Sequence, residues 1–266
     1  RTRVLPKRGI VAAPDEILIT LGSQNALYLL TRLLLSSTTR IGVENPCFRE
    51  AINTFLLADA EVVPHPVDEE GIVLNERPCD YYYVTPGHQV PTGVTMSSAR
   101  RRQLLEHAAR HDAVIIEDDY DSESNFTLNP LPALKASDRS GRVVYVSSLS
   151  KALSPGLRLG FMVADPDLID EARALRRLVY RHPPTNIQYQ MAHFLAQGHY
   201  ETHLRRYHYD SAQRWERLHA ALQRYLPSCR ALAGSEHANA FWLQTPAQIN
   251  TQQLTWRAAH AGVLIE

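Results

Sequence analysis

Short apolar segments rich in β-branched and aromatic residues alternate along this chain with segments of helical periodicity. The predicted strands are Ile17–Thr20, Ile41–Glu44, Tyr81–Thr85, Val114–Ile116 and Val143–Ser147. The predicted helices lie near residues 24–36, 98–111 and 166–180. This alternation is typical of α/β proteins, in which a mainly parallel sheet is covered by helices. Ligands of such sheets bind beyond the carboxyl ends of the strands, so the polar residues that follow the strands are the candidates for a site.

The pattern changes in the last third of the chain. From about residue 187 onward it is helical and rich in arginine and histidine, and the next predicted strand is Ala240–Leu243. We therefore expect a large domain over residues 1–209, including its connecting helices, and the start of a smaller α+β domain over residues 210–266.

The composition excludes several classes of protein. The 266 residues are 44% hydrophobic and 21% charged, which is ordinary for a globular protein. Because 28 basic residues balance 28 acidic ones, no net field favours nucleic acid or an anionic membrane. The chain has neither an apolar segment of about 20 residues nor a signal peptide, so we expect a cytoplasmic protein without a membrane partner. Cys47, Cys79 and Cys229 are too scattered for a disulfide framework or a zinc site.

Lys151 closes the segment Ser147-Ser148-Leu149-Ser150-Lys151, which follows a predicted strand. A lysine that forms an imine must spend time as a neutral amine, and this favours a partly desolvated position near other positive charge. Arg158 lies seven positions later, and together with the neighbouring hydroxyl groups it suits a phosphate held close by. Taken alone, the segment also fits a surface lysine in a serine-rich loop.

Acidic residues follow the predicted strand Val114–Ile116. A carboxylate against the nitrogen of a pyridine ring keeps that ring protonated, and Asp118 is the candidate for this role. Tyr120 lies two residues further on, hence on the same side of an extended chain, where it can hydrogen-bond a ring oxygen. Two alternatives stay open, a solvated acidic turn and a magnesium site formed by Glu117, Asp118, Asp119 and Asp121.

Gly22, Ser23 and Gln24 lie between the first predicted strand and an amphipathic helix. Gly22 permits a tight turn, Ser23 is expected to cap the helix, and the free amides of Ser23 and Gln24 would face an anion. An ordinary capped helix is the alternative. Phe48 follows the next predicted strand and is placed to stack on a flat ring, although an aromatic residue there is also typical of a core.

The loop Thr85-Pro86-Gly87-His88-Gln89-Val90-Pro91-Thr92-Gly93 follows the third predicted strand. It is longer and more polar than a simple strand-to-helix connection requires. Its prolines and glycines fix a turn, and it can present His88 or Gln89 to a ring oxygen.

In this order the motifs resemble those of fold-type-I pyridoxal-phosphate (PLP) aminotransferases. The resemblance is strongest to the C-terminal domain of MocR/GabR-type bacterial transcriptional regulators of the GntR superfamily. The motifs that carry it are Gly-Ser-Gln at 22–24, Pro-Cys-Phe at 46–48, the loop at 85–93, Glu-Asp-Asp-Tyr-Asp-Ser-Glu at 117–123, Ser-Leu-Ser-Lys at 148–151, and Arg158. They cover nearly the whole chain, and they imply the fold-type-I architecture with PLP as cofactor.

At the matching positions the resemblance implies a role for each side chain. Lys151 would hold PLP as a Schiff base, the internal aldimine. Asp118 would pair with the pyridine nitrogen, and Tyr120 would contact the ring hydroxyl. Phe48 would stack on the ring, and His88 or Gln89 would supply a third ring contact. The phosphate would be bound by Ser23, Gln24, Ser148, Ser150 and Arg158.

Two features of the family have no counterpart in the sequence. The aminotransferases bind the substrate carboxylate through an arginine near the C-terminus, and we expect this chain to be cut before it, because Ala261–Glu266 resembles a strand without a partner. The regulators bind DNA through an N-terminal winged helix. We expect the present chain to begin after such a domain, since Arg1–Arg8 resembles the end of a helix.

The resemblance therefore supports two functions. In the first, the chain is the effector-sensing domain of a MocR-type regulator, in which an amine or amino acid replaces Lys151 on PLP and shifts a homodimer between two states. In the second it is a working aminotransferase, in which Lys151 also transfers the α-proton of an amino acid. The Asp118–Glu123 and His88-Gln89 sequences favour the regulator. An α/β protein that binds no PLP is the third alternative.

Overall fold

The computed structural model describes residues 1–123, 131–231 and 240–265, and its centre is an eight-stranded sheet. In chain order the strands are β1 (Ile17–Thr20), β2 (Arg40–Asn45), β3 (Glu61–Asp68), β4 (Gly71–Ile72), β5 (Tyr81–Val84), β6 (Val114–Asp119), β7 (Val143–Ser148) and β8 (Gly160–Val163). Across the sheet they follow the order β1, β8, β7, β6, β5, β2, β3, β4.

The sheet is mainly parallel, as the alternating pattern predicts. The pairs β2–β3, β2–β5, β5–β6 and β6–β7 are parallel, whereas β1–β8, β7–β8 and β3–β4 are antiparallel. The five predicted strands of the large domain correspond to β1, β2, β5, β6 and β7. β6 continues to Asp119, so Glu117, Asp118 and Asp119 belong to the strand itself, whereas Asp121 lies in the turn after it.

Helices cover both faces of this sheet. They are α1 (Ser23–Leu34), α2 (Arg49–Leu56), α3 (Ser98–His111), α4 (Leu134–Ser137), α5 (Ser150–Leu153), α6 (Pro166–Val179), α7 (Thr185–Ala196), α8 (His199–Tyr225) and α9 (Thr251–His260). α1, α2 and α6 contribute to one apolar cluster, while α3 and α4 contribute to a second and α7 and α8 to a third. No helix among the described residues is long and apolar enough to cross a membrane.

Neighbouring residues of the central strands are buried on opposite faces. On β5, Tyr83 belongs to the cluster of Leu27 and Phe55, whereas Tyr82 belongs to the cluster of Leu104. Side chains alternate between faces along a strand, and here both faces are covered. This is why the central strands are continuously apolar in sequence.

Other elements differ from the prediction. β3, β4 and β8 were not predicted, and in β3 Pro64 and Pro66 mask the strand pattern because proline cannot donate a backbone hydrogen bond. The strand predicted at Ala240–Leu243 is wrong in its bounds, since β10 is Leu243–Gln244 and pairs with an unpredicted β9 at Arg230–Ala231.

The structure can be compared with the expectations for the domain boundary at residue 210 and for the two ends of the chain. α8 runs unbroken through residue 210, so the division of the chain there stays a prediction. Residues 261–265 form no strand, contrary to the expectation, and Glu266 lies outside the described residues. The segment at the N-terminus contains a short 3₁₀ helix at Leu5–Arg8.

A buried ion pair connects this N-terminal segment to the end of β6. Nε of Arg8 lies 2.7 Å from Oδ2 of Asp119, and the side chains of Arg8 and Asp119 are only 8% and 3% exposed. The same Asp119 oxygen accepts a hydrogen bond from the Tyr145 hydroxyl at 2.7 Å, and Nη1 of Arg8 donates to the carbonyl of Leu131 at 2.9 Å. The pair thus joins residues ahead of β1 to the end of the central strand β6.

Arg8→Met tests the contribution of this pair to stability. Removing the guanidinium leaves a buried carboxylate without its counter-charge, and we expect the free energy of unfolding to fall by about 3–5 kcal/mol. Urea unfolding followed by circular dichroism measures the change. The control is Arg173→Met in the exposed pair with Asp170, which should change stability by no more than about 1 kcal/mol. Equal losses in the two variants would contradict the expectation.

Candidate functional site

A cavity of about 530 Å³ opens at the carboxyl end of the parallel strands. It is lined by every site residue that the sequence indicated: Ser23, Gln24, Phe48, His88, Gln89, Asp118, Tyr120, Ser148, Ser150, Lys151 and Arg158. Tyr83, Val90, Pro91, Pro155 and Ala240 complete the lining. The parallel order of β2, β5, β6 and β7 explains this convergence, because residues that follow such strands meet at one edge of the sheet.

Lys151 lies on α5, directly after β7. Its Nζ is 3.9 Å from the centroid of the Tyr120 ring, in a cation–π contact. The chain has three lysines, and the other two, Lys7 and Lys135, form ion pairs elsewhere with Glu201 at 3.5 Å and Asp138 at 3.7 Å. Lys151 is therefore the lysine available to a ligand in the cavity.

Asp118 lies at the end of β6 with one oxygen bonded and one without a partner. Its Oδ2 accepts a hydrogen bond from the Tyr83 hydroxyl at 2.9 Å, whereas Oδ1 is buried and has no hydrogen-bond partner in the described structure. Burial raises the pKa of Asp118 to about 7, while the Tyr83 hydroxyl and the Lys151 charge act in the opposite direction. A buried oxygen of this kind is matched to a ligand that donates a hydrogen bond.

Polar groups gather at another part of the cavity wall. Nη2 of Arg158 donates to the carbonyl of Leu21 at 3.0 Å, which fixes the guanidinium beside the first turn of α1. A Cβ on Gly22 would lie 2.8 Å from that nitrogen, so the close approach requires glycine, whose φ here is +80°. Hydroxyl groups and backbone amides near a fixed guanidinium form a suitable site for an anion.

Three further residues predicted to bind the anion also make hydrogen bonds within the protein. Ser148 Oγ accepts from the Ser150 amide at 3.2 Å, and Ser150 Oγ accepts from the Leu159 amide at 3.3 Å. Nε2 of Gln24 donates to Thr54 at 3.1 Å. The expectation that Ser23 caps α1 is wrong, because the helix begins at Ser23 and Gly22 occupies the N-cap position without a side-chain cap.

The two candidates for a third ring contact differ in their surroundings. Gln89 is buried, and its Nε2 donates to the carbonyls of Pro46 and Val90 at 2.7 Å each. His88 bonds Asp121 through Nδ1 at 3.0 Å, and its ring lies nearly parallel to that of Tyr120 at 6.3 Å. The amide of Gln89 thus stabilises the loop, while His88 packs along the Tyr120 ring. Which of them contacts a ligand stays a prediction.

The acidic residues considered as a magnesium site point to different partners. Glu117 accepts from the amides of Leu134 and Lys135 at 2.6 and 2.8 Å, whereas Asp119 bonds Arg8. Among the described residues, no three histidine, cysteine or acidic side chains are placed to share a metal ion. The geometry therefore favours an organic ligand with an acidic end and a hydrogen-bond donor.

Comparison with known proteins agrees with this geometry. The model of the family described as "Aminotransferase class I and II" matches residues 6–255. The chain belongs to this aminotransferase family. The structure of Pyrococcus horikoshii kynurenine aminotransferase in complex with PMP is similar with a TM-score of 0.89, at 28% identity, over 99% of this chain and 68% of that one. The fold-type-I architecture is thus confirmed, and PLP is the cofactor that the family implies.

Two relatives of this aminotransferase-family chain are bacterial regulators. The HTH-type transcriptional regulator TauR of Rhodobacter capsulatus is 39% identical over 99% of this chain and 54% of its own length. The probable rhizopine catabolism regulatory protein MocR of Rhizobium meliloti is 38% identical over 82% of this chain and 45% of its own length. The resemblance to MocR-type regulators is confirmed, and the chain spans about half the length of these relatives.

Sequence reasoning missed Tyr83, which lines the cavity, and Glu44, a buried carboxyl bonded to Thr85 at the start of the loop. Tyr83 looked like part of a buried strand, and its bond to Asp118 depends on the pairing of β5 with β6. Glu44 is the penultimate residue of β2 and is buried, and its Oε2 accepts from the amide and hydroxyl of Thr85 at 3.1 and 2.7 Å. A carboxylate at the end of an apolar strand was the available signal for Glu44.

Glu44→Gln tests the effect of this buried carboxyl on pH dependence. Burial raises the pKa of Glu44 to about 7, above the unfolded value of about 4.3. Between these values the folded chain keeps a proton that the unfolded chain has lost, so the stability contributed by Glu44 falls as the pH rises. Relative to the glutamine variant, the native chain should lose about 3 kcal/mol between about pH 4 and pH 8.

Urea unfolding of both chains across this pH range measures the difference. Glu50→Gln, which alters an exposed carboxyl of α2, is the control and should leave the pH dependence of the native chain unchanged. A constant difference between the native chain and Glu44→Gln at all pH values would show that Glu44 titrates alike in the folded and unfolded states.

Proposed function

We propose that this chain is the PLP-binding, effector-sensing domain of a MocR-type transcriptional regulator. In this function PLP is attached covalently through Lys151 and reacts with an amine or amino-acid effector. The proposal depends chiefly on one observation: Lys151, the partly unpartnered Asp118 and the fixed guanidinium of Arg158 line one cavity in a chain related to two regulators.

The residues of the cavity fit PLP in three respects. The buried Oδ1 of Asp118 lacks the hydrogen-bond donor that a protonated pyridine nitrogen provides. Arg158, held beside the N-terminus of α1, offers positive charge to a phosphate. Lys151 is the lysine of this wall, and Tyr120 and Phe48 are aromatic side chains of the same cavity. The polar side chains of the cavity therefore match both the ring nitrogen and the phosphate of a phosphorylated pyridine aldehyde.

The side chains divide the work of holding this cofactor. When bound, PLP supplies an aldehyde carbon that condenses with amines and a ring that withdraws electrons from the attached group. Lys151 would provide the amine that attaches it, and Asp118 would accept a hydrogen bond from the protonated ring nitrogen. Tyr120 orients Lys151 through its ring, and Arg158, Ser148, Ser150, Ser23 and Gln24 bind the phosphate. Phe48 and His88 or Gln89 limit the position of the ring.

Sensing is favoured over turnover by the relatives of the chain. TauR and MocR are regulators, and each matches this chain over most of its length. An amine effector would act by binding one of two states of the protein more tightly than the other. We propose that those states belong to a homodimer. A winged-helix domain N-terminal to this chain would bind DNA differently in the two states.

A working aminotransferase is the second candidate. The likeness to the PMP-bound kynurenine aminotransferase, with a TM-score of 0.89, favours it. In that function Lys151, whose side chain is exposed to the cavity, would also transfer the α-proton of an amino acid. The two functions use the same residues to attach PLP, and they differ in the steps after the amine has bound.

Lys151→Ala tests the attachment of PLP. The native chain should acquire a visible absorbance band with PLP, and borohydride reduction should fix the cofactor to the peptide that contains Lys151. The alanine variant should lose both signals, because its side chain carries no amine. Lys135→Ala, which removes a lysine paired with Asp138, is the control and should keep them. An unchanged band in Lys151→Ala would contradict the proposal.

Titration with a panel of amines and amino acids separates sensing from turnover. For a sensor we expect an effector to change the absorbance of the PLP-loaded chain while mass spectrometry finds no PMP. Accumulation of PMP with any member of the panel would instead favour the aminotransferase. The measurement is best made on the full-length protein, because this chain spans about half of the related regulators.

A further inference from the structure

We propose that Tyr83 is a positioning residue for the cofactor, because its hydroxyl holds Asp118 as a carboxylate directed at the ring nitrogen of PLP. This inference rests on the proposed function, since it requires PLP in the cavity. It assigns a role to a residue of β5 that the sequence indicated only as part of a buried strand.

The register of the sheet explains how Tyr83 reaches Asp118. Tyr83 on β5 lies opposite Ile116 on β6, so Asp118 is its diagonal neighbour on the same face. A diagonal neighbour is beyond the reach of a short side chain but within that of an aromatic one. The Tyr83 ring is buried to 1% exposure and packs edge-on against Phe55, with ring centroids 5.3 Å apart. Its hydroxyl is thereby fixed at 2.9 Å from Oδ2 of Asp118.

In the hydrogen bond between Tyr83 and Asp118 the tyrosine is the donor, and this determines which Asp118 oxygen is left for a ligand. Burial raises the pKa of Tyr83 well above its usual value, so the phenol keeps its proton and donates a hydrogen bond to Asp118. Oδ2 is then an acceptor, and the oxygen left free is Oδ1, which is buried and has no partner among the described residues. A carboxylate bonded on one oxygen offers its other oxygen in a fixed orientation.

The remaining charged and titratable groups around Asp118 do not replace this bond. Asp119 on the same strand opposes the ionisation of Asp118, whereas Lys151 on α5 favours it. Tyr120 and Cys47 also lie in the electrostatic environment of Asp118, and burial raises the pKa of both. Tyr83 is the group that donates a hydrogen bond to the Asp118 side chain in the described structure.

The chain contains a matched control for this tyrosine. Tyr82 precedes Tyr83 on β5, is equally buried and points to the opposite face. Its hydroxyl bonds Nε2 of His107 at 2.8 Å and accepts from the Cys79 amide at 3.2 Å, away from the cavity. Tyr82→Phe and Tyr83→Phe therefore each remove one buried hydroxyl from the same strand, and only the second alters the site.

The experiment measures the dissociation constants of PLP and of its 1-deaza analogue, in which a CH group replaces the ring nitrogen. We expect Tyr83→Phe to weaken the binding of PLP by about tenfold or more, since a hydrogen bond to a charged group is lost. Binding of the deaza analogue should change by less than about twofold, because that ring has no nitrogen to pair with Asp118. Tyr82→Phe should leave both constants within about twofold of the native values.

A second measurement places the effect on Asp118. In an Asp118→Asn background, Tyr83→Phe should cause no further loss of PLP affinity, as expected for a residue that acts through the carboxylate. Equal weakening of PLP and the deaza analogue by Tyr83→Phe, or no weakening of either, would overturn the role of Tyr83 and leave the proposed function standing. So would a Tyr83→Phe chain that unfolds where Tyr82→Phe does not. If the native chain binds neither compound, the proposed function fails, and the role of Tyr83 fails with it.

Discussion

Three consecutive carboxyl groups, Glu117, Asp118 and Asp119, are buried at the end of the central strand β6, and each needs its own partner. An ionised group removed from water is strongly unfavourable unless it is paired or hydrogen-bonded. Because side chains alternate along a strand, Asp118 points to the face opposite that of Glu117 and Asp119 and requires a different partner. Glu117 and Asp119 bond to groups at the opposite face from the cavity, and Asp118 bonds Tyr83 and lines the cavity. The hydrogen bonds and the ion pair of these three carboxyl groups connect β6 to α4, to the N-terminal segment and to β5.

The structural and functional parts of the site follow from this arrangement. Arg8 and the amides of α4 stabilise two of the carboxyls, so the end of β6 is held firmly by contacts that no ligand needs to make. Asp118 keeps one buried oxygen without a partner, which is unfavourable until a donor binds. Binding sites typically contain an unfavourable buried group whose cost is offset by stabilising contacts of neighbouring residues. The cavity is thus prepared for a ligand without being closed by its own side chains.

Much of the site could be predicted because local chemistry marks it. Asp118 lies near the end of an apolar strand and Lys151 shortly after another, and parallel strands bring such positions to one edge, while Arg158 lies seven residues beyond Lys151. Tyr83 could not be singled out in this way, because a tyrosine in a β-rich segment is an ordinary core residue until its partner across the sheet is known. The prolines of β3 and the short β8 hid two further strands for a similar reason, since pairing with neighbours stabilises them more than their own composition does.

The sequence by itself determined the α/β class, the positions along the chain of five of the eight strands of the main sheet, and the side chains that line the cavity. These depend on local periodicity and on residue type, both of which can be read along the chain. Only the tertiary structure decided that Tyr83 bonds Asp118, that Gly22 and not Ser23 is the N-cap residue of α1, and that the amide of Gln89 bonds backbone carbonyls of the protein. Those outcomes depend on strand register and on which buried polar groups compete for the same donors, and both arise from contacts between residues far apart in sequence.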